Sequence, residues 1–435
     1  MEEKLKLNVK VTLLISLSLV TWGAFSEIFN STIQNILVER LGNSETFKGT
    51  IMSIGNVLAL VLFPLFGLLS DKTKSRFGKR KPYILSGGLL TALSLLGALF
   101  FANKNSTAGF SAFIILALFG MSVNRPAAFA IIPDLTPKPL NSEANALKGV
   151  VLSAGGFAVT LLIIIFGTNF TVVYSGTVAM MLASLLVFAV FVKENKLLAS
   201  QRALLDKYNR VQDSSHGDKF RISTMPKDKK RSVLFILAVT LFAFFSYSAT
   251  MSTYVNYADK VWGMPYNQTG IFVVLIGVGG LIVIYPITAV AKRIGRKNTV
   301  MAGLMFLFAG FVLAAFMTKF GVLTLAAYLL IGIGWSAVSI ISMPMLFELS
   351  DISTVGAFVS AYTVASTVGR TIAPFFIGIL IDNTSFGYAV LYPCAAAGVV
   401  AAALCLVFVK HGNVAVPQGA QDNAVEQTEA AVSDI

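Results

Sequence analysis

Apolar residues run along this chain in long blocks separated by short polar intervals, and twelve blocks approach twenty residues or more. They cover residues 11–36, 50–70, 83–102, 109–132, 149–168, 171–192, 232–257, 270–291, 299–318, 322–346, 355–381 and 386–409. A helix needs ~20 mostly apolar residues to cross a hydrocarbon core, so each block is expected to be one transmembrane helix. The first block follows Lys4, Lys6 and Lys10, as a secretory signal would. A signal's apolar stretch is about 7–15 residues and ends in a small-residue cleavage site. Here Glu27, Asn30 and Gln34 continue the pattern, and the block is expected to be a retained span.

Composition agrees. Of 435 residues, 56% are hydrophobic and 13% charged, against roughly 25% charged in soluble proteins. Soluble domains would lack a polar surface, which excludes a large soluble enzyme, a nucleic-acid-binding protein and a disordered chain. The outer surface is expected to face lipid.

Charge sets the expected orientation. With the amino terminus inside, 27 of the 34 lysines and arginines fall on inner segments, five on outer loops, and Arg125 and Arg370 within spans. Lysine and arginine resist translocation, so both termini are expected in the cytoplasm. Cys394 and Cys405 lie eleven residues apart on the last span, ~16 Å on a helix and out of disulfide reach. His216 and His411 lie in cytoplasmic segments, so no histidine relay or metal site is expected within the bilayer. The Asn-x-Ser/Thr triplets at Asn105, Asn169, Asn267 and Asn383 fall in very short outer loops and read as chance matches.

The only long internal connection, residues 194–231, separates six spans from six, with an amphipathic stretch around Leu197, Leu198, Leu204 and Leu205. It reads as a cytoplasmic strap, with a regulatory segment as the alternative. The halves repeat. An offset of 222 brings Gly55 onto Gly277 and Pro64 onto Pro286; Gly78-Lys79-Arg80-Lys81 returns as Gly295-Arg296-Lys297; an offset of 214 brings Gly120 onto Gly334 and Asp134 onto Glu348. Two parallel six-span units suit a transporter with a central site. The expected fold is therefore an all-α membrane protein of twelve transmembrane helices in two pseudo-symmetric six-helix bundles. Its domains are 1–193, a linker 194–231, a second bundle 232–410 and a disordered acidic tail 411–435.

The segment Gly67-Leu-Leu-Ser-Asp71-Lys-Thr-Lys-Ser-Arg76-Phe-Gly78-Lys79-Arg80-Lys81-Pro82 resembles the loop 2–3 signature of the major facilitator superfamily. Its Ser-Arg-Phe-Gly insertion and following proline are similar to sucrose transporters and the glycoside–pentoside–hexuronide:cation symporters. Gly67 permits close helix approach. Asp71 can cap an adjoining helix start, and the resemblance makes that neighbour span 11. Arg76, Arg80 and Lys81 are expected to bridge to Asp134, with Arg296 and Glu348 as the counterpart in the second half. This is a breakable cytoplasmic latch favouring the outward-open state; a basic run that only fixes topology is the alternative. Arg293 stands where a second Asp71 would fall, so the latch is expected to be asymmetric.

Ionisable groups at membrane depth are functional candidates by default. They are Glu27, Arg125 and Arg370, the proposed proton-coupling set. Gly23, Asn30, Ser31 and Gln34 share a polar stripe with Glu27, and Thr363, Ser366 and Thr367 line one face near Arg370, so these faces are expected to meet an aqueous cavity. Burial disfavours a charged carboxylate and a guanidinium favours it, a competition that lets a carboxyl load and release a proton. Trp22-Gly-Ala-Phe-Ser-Glu27 resembles the span-1 motif of the sugar:cation symporters, which places an acid here. Span 2, with Ser53 and Asn56, lacks the paired carboxylates of melibiose-type members, and Asn124 stands where span 4 is expected to carry an acid. One carboxylate makes a weak Na⁺ site and an adequate H⁺ site, so H⁺ is favoured over Na⁺. A static Glu27–Arg125 pair is the alternative.

A sugar needs hydrogen-bonding groups and a flat apolar face. The candidates are Trp22, Asn30, Gln34, Asn56 and Asn124, then Tyr247, Thr250, Tyr254, Asn256 and Tyr257 on span 7, with Trp335, Ser339 and Tyr362 beyond. The resulting expectation is a monomeric, non-enzymatic, cofactor-free secondary transporter of the cell membrane, moving a glycoside such as sucrose or maltose with protons. A carrier of lipid-like or drug-like substrates and Na⁺-coupled symport are the alternatives. A membrane enzyme lacks a nucleophile–base or metal constellation, a channel lacks a filter sequence, and an ATP-driven pump lacks a nucleotide-binding loop.

Overall fold

The computed structural model describes residues 7–137, 140–167, 169–199, 226–284, 286–349 and 355–410. Most of the 194–231 linker and the 411–435 tail therefore lie outside the described residues. Long apolar runs become helices because backbone groups in lipid must bond within their own segment. Twelve such helices are present: Val9–Arg40, Glu45–Lys72, Lys81–Asn103, Thr107–Asp134, Glu143–Phe166, Phe170–Phe191, Lys227–Met251, Tyr266–Val283, Arg296–Phe316, Val322–Leu346, Phe358–Asn383 and Gly387–Val407. They are numbered spans 1 to 12 below. No strand occurs among the described residues. Large apolar side chains such as Leu186, Ile165 and Leu281 stand about two-thirds exposed, a waste in water and the normal state against lipid tails.

Starts and stops follow local chemistry. Asn8, Ser44, Ser106 and Asn169 cap spans 1, 2, 4 and 6, each side chain accepting a backbone N–H three residues on. Capping occupies donors that a helix start otherwise leaves open. Pro82 enters span 3 in its first turn, where its missing N–H costs nothing.

Two spans are less regular than their hydropathy implies. Span 1 tightens to a 3₁₀ turn at Leu17–Leu19, breaks at Ser31 (φ −119°, ψ −73°) and ends in a π-helical turn, Ile36–Arg40. The Ser31 hydroxyl donates to the Glu27 carbonyl at 2.6 Å, a side-chain bond that competes with helix geometry. Span 7, expected as one run to residue 257, stops at Met251 and resumes as a separate helix, Tyr254–Trp262. Side chains beyond the break are therefore out of phase with those before it.

The chain divides into two compact units. One contains Met1–His216, Ser248–Ile271 and Arg370–Leu391; the other contains Gly217–Tyr247, Phe272–Gly369 and Tyr392–Ile435. Within each, glycines let helices touch backbone to backbone, as membrane helices do. In the first unit an added Cβ at Gly87 would lie 2.6 Å from the Asn124 nitrogen, and one at Gly120 2.9 Å from the Gly87 carbonyl. The second unit repeats this between spans 9 and 10, with Gly303 and Gly334 facing one another. The fold is the twelve-helix, twofold-repeated arrangement expected.

The tightest approach in span 1 yields a test. A Cβ at Gly23 would lie 2.2 Å from the Leu152 carbonyl oxygen, whereas one at Gly149 would meet nothing within 4 Å. Overpacking costs about 1–3 kcal/mol. Gly23→Val is expected to lower the melting temperature of detergent-purified protein clearly, and Gly149→Val to leave it within error.

Candidate functional site

At one end of span 2 the loop to span 3 is folded around Arg80. Its Nε donates to Asp134 Oδ2 at 2.8 Å, one terminal nitrogen pairs with Asp71, and the other donates to Ser70 Oγ at 2.5 Å and the Gly67 carbonyl at 3.4 Å. Lys79 reaches the same Asp134 oxygen at 3.0 Å. The planar five-donor guanidinium suits this divided task. The expected Arg80–Asp134 bridge is present, as is Arg296–Glu348 at 2.5 Å in the second half, where Arg296 also donates to the Pro344 carbonyl at 2.8 Å.

The other expected partners of Asp134 lie elsewhere. Arg76 sits 4.6 Å above the ring of Phe77. Lys81 starts span 3, and its ammonium donates to the carbonyls of Ala189 and Val192, both at 2.6 Å. Those carbonyls end span 6 and lack helical partners of their own, so they suit a cation, while Asp134 is already shared by Lys79 and Arg80. Lys297 does the same with Val407 and Val409 at 3.0 and 2.7 Å. Span 11 starts as a helix at Val355; the residues leading into it, 350–354, lie outside the described residues, and the expected capping by Asp71 falls there.

One residue of the Arg80 cluster escaped the sequence reading. Glu194, just past span 6 and 4% exposed, accepts the backbone N–H groups of Lys79, Arg80 and Lys81 at 2.9–3.2 Å. It supplies the anion that a helix start favours. Gly78 turns beneath it with φ +113°, and an added Cβ would lie 2.2 Å from its Oε2. The available signal was an acid directly after a span, opposite a glycine-led basic turn.

Midway along span 1, Glu27 is half-buried. Its Oε1 has no hydrogen-bond partner, and Thr160 of span 5 is its side-chain neighbour. Arg125 is surrounded by rings: its guanidinium carbon lies 4.0 Å from the centroid of Trp22, 4.9 Å from Phe63 and 5.4 Å from Phe129. Such faces stabilise a desolvated cation by about 2 kcal/mol. None of the ion pairs among the described residues includes Glu27 or Arg125, so a static Glu27–Arg125 bridge is not present. Arg370 is close enough to act electrostatically on Arg125, and its carbonyl accepts from Asn56 Nδ2 at 3.1 Å and Ser248 Oγ at 3.2 Å. Trp22, Asn56, Arg125 and Arg370 are thus brought together.

Several proposed sugar ligands are occupied in other ways. Asn124, adjacent to Arg125, is turned about 100° from it on the helix; it is fully buried and donates to the Ile84 carbonyl at 2.7 Å. Gln34 Nε2 donates to the carbonyls of Asn30 (2.5 Å) and Met251 (3.0 Å), and Asn30 donates to Ser26 Oγ at 3.4 Å. Thr250, before the break in span 7, and Tyr254, Asn256 and Tyr257, past it, are all buried; Tyr257 meets Trp262 edge-on at 5.0 Å and Asn256 donates to Glu45 at 2.7 Å. Nearby Lys260 bonds Glu39 at 2.8 Å, which holds the ammonium above its ordinary value. That contribution is complete below the free lysine value and fades only at more alkaline pH.

In the second unit, Tyr247 lies parallel to Trp335, centroids 3.9 Å apart and planes within 4°. Phe244 meets Trp335 edge-on at 4.7 Å and Tyr362 at 6.1 Å. Ser339 donates to the Ser336 carbonyl at 3.4 Å. The expected aromatic members Tyr247, Trp335 and Tyr362 therefore do assemble.

The profile of a family described as MFS/sugar transport protein matches residues 15–409. The chain belongs to that family. Two curated relatives are a sucrose transport protein of Arabidopsis thaliana, 26% identical over 165 residues, and an isoprimeverose transporter of Lactiplantibacillus pentosus, 23% identical over 285. The matches cover 33% and 62% of this chain and 28% and 56% of those proteins. A solved nucleoside transporter shares the fold with a TM-score of 0.69 at 15% identity, covering 93% of this chain and 100% of that one. This member of the major facilitator sugar-transport family is a multi-pass membrane transporter and not an enzyme. The curated relatives are consistent with the glycoside–pentoside–hexuronide:cation symporter type that the loop 2–3 segment resembles.

The Arg80 cluster gives a direct test. Removing one partner of a buried pair costs about 3–5 kcal/mol, with the low end expected here because Asp71 is half exposed. Arg80→Ala is expected to lower thermal stability by about 3 kcal/mol and to depress transport. Arg80→Lys is expected to recover only part of either, since an ammonium cannot replace the fork.

Proposed function

We propose that this chain is a proton-coupled glycoside symporter of the cell membrane, with both termini cytoplasmic. It works as a single chain and carries a disaccharide such as sucrose or maltose by alternating access. The observation that carries the reading is the state of Glu27: a carboxylate oxygen buried at membrane depth with no hydrogen-bond partner, while the expected counter-ion, Arg125, is held by rings. Such an oxygen is a place where a proton can be gained and lost.

Proton rather than sodium coupling is supported by the donor set. A hard cation needs about six oxygen ligands, and the polar groups of span 2 are committed to span 11: Ser53 donates to the Thr371 carbonyl at 2.6 Å and Asn56 to that of Arg370. Sugar rather than another solute is supported by the relatives' substrates and by the aromatic set around Trp335, which offers flat apolar faces beside hydroxyl groups. In this scheme the Arg80 cluster is the latch of the cytoplasmic end, and Glu27, Arg125 and Arg370 form the coupling group. The basic Gly67–Pro82 loop faces the cytoplasm, which leaves the opposite ends of spans 1 and 2 outside.

Counterflow in proteoliposomes with labelled disaccharides, at several pH values with and without Na⁺, tests the reading. Sugar exchange is expected to persist without Na⁺, and sugar entry to alkalinise the medium. Sodium stimulation without proton movement would reject the coupling assignment. Glu27→Gln is expected to lose uphill accumulation while keeping exchange; full accumulation by that variant would remove Glu27 from the proton path.

A further inference from the structure

At the end of span 2 remote from the Gly67–Pro82 loop, a charged pair is sealed in a place the transport scheme does not use. Glu45 and Lys48, one turn apart, form an ion pair, with Glu45 3% exposed and Lys48 fully buried. Three later segments of the same compact unit close over it. Asn256 Nδ2 and the Tyr388 hydroxyl both donate to Glu45 Oε1 at 2.7 Å. Asp382, ending span 11, accepts the Glu45 N–H at 3.1 Å, the Thr46 N–H at 2.7 Å and the Thr46 hydroxyl at 2.6 Å. Backbones touch beside it: a Cβ at Gly49 would lie 2.2 Å from the Pro374 carbonyl oxygen, and one at Gly378 2.5 Å from that of Glu45.

Drying two charges is expensive, and their mutual attraction repays that only with good supplementary bonds. Here Asn256 and Tyr388 supply those bonds to one oxygen of Glu45, while the Lys48 ammonium has no hydrogen bond beyond its ion pair. Water entering this site would solvate both charges and offset the lost contacts. An apolar seal of the same size would gain nothing on wetting and would stay shut.

We propose that the Glu45–Lys48 pair, closed over by Asn256, Tyr388 and Asp382, is the external gate, and that its buried charges set the balance between its shut and open states. This rests on the alternating-access reading. Glu45 and Lys48 are positioning residues, acting on access to the site and not on the sugar. The proposal predicts a reversal of sign. Leaving one charge buried alone favours opening, because the orphan seeks water; removing both favours closure, because the drying cost disappears.

The test uses Ser26→Cys, on span 1 deeper than the contact of Gln34 with Met251, in full-length protein with Cys394→Ala and Cys405→Ala. A membrane-impermeant maleimide is applied to oriented vesicles from the side opposite the Gly67–Pro82 loop. Lys48→Met is expected to raise the labelling rate about tenfold, a modest part of what an orphaned buried charge costs. Glu45→Gln combined with Lys48→Met is expected to drop it below the parent. Tyr388→Phe, which removes one hydroxyl and keeps both charges, is expected to raise it and covers the case in which Lys48→Met does not fold. Equal labelling in all variants, or a change of the same sign in the single and double variants, would overturn the proposal. Labelling needs neither sugar nor an ion gradient, so its failure is distinct from failure of the substrate or proton assignment.

Discussion

A charge placed at membrane depth has no bulk water to solvate it, and the protein must provide the substitute. Each buried ionisable group here finds a different one. Arg125 lies among aromatic faces, Lys81 and Lys297 end on helix-terminal carbonyls, Glu194 sits on peptide N–H groups, and Lys48 has its own neighbour one turn away. Glu27 has Thr160 as a side-chain neighbour, but its Oε1 has no hydrogen-bond partner and the residue forms no ion pair among the described residues. Among those residues, the other carboxylate oxygen buried without a hydrogen bond, on Glu45, faces the Lys48 ammonium, whereas Glu27 has no ion-pair partner, and the proposed proton exchange is assigned to Glu27 for that reason.

The repeat is chemical as well as topological. Arg80 and Arg296 answer Asp134 and Glu348, Lys81 and Lys297 close on the last carbonyls of spans 6 and 12, and glycine pairs bring spans 3 and 4, and 9 and 10, into backbone contact. The halves part company at Glu194, whose place after span 12 is taken by the cation Lys410. The first-half loop is therefore tied more firmly than its counterpart.

Hydropathy made the spans legible, because length and apolarity alone decide whether a helix can cross a bilayer. The basic turns and the depth of Glu27, Arg125 and Arg370 were legible for the same reason. What stayed hidden was direction. Asn124 and Arg125 are neighbours in the chain, yet one serves a helix contact and the other a ring cluster. Asn256 and Tyr257 read as sugar ligands on span 7, but past the break after Met251 Asn256 donates to Glu45 and Tyr257 packs on Trp262. Such breaks arise from side-chain bonds and tertiary fit, which a hydropathy pattern does not contain. Glu194 was missed because its partners are peptide groups, which carry no residue signature.

Glu194 also has a mechanical meaning. It is the first acid after span 6, at the head of the long stretch joining the two halves of the chain. Its carboxylate grips the peptide groups of Lys79, Arg80 and Lys81, and residues 194–199 continue from it as a short helix, so a displacement of that helix is delivered directly to the peptide of Arg80. A pull on that helix would therefore tug the guanidinium held between Asp71 and Asp134.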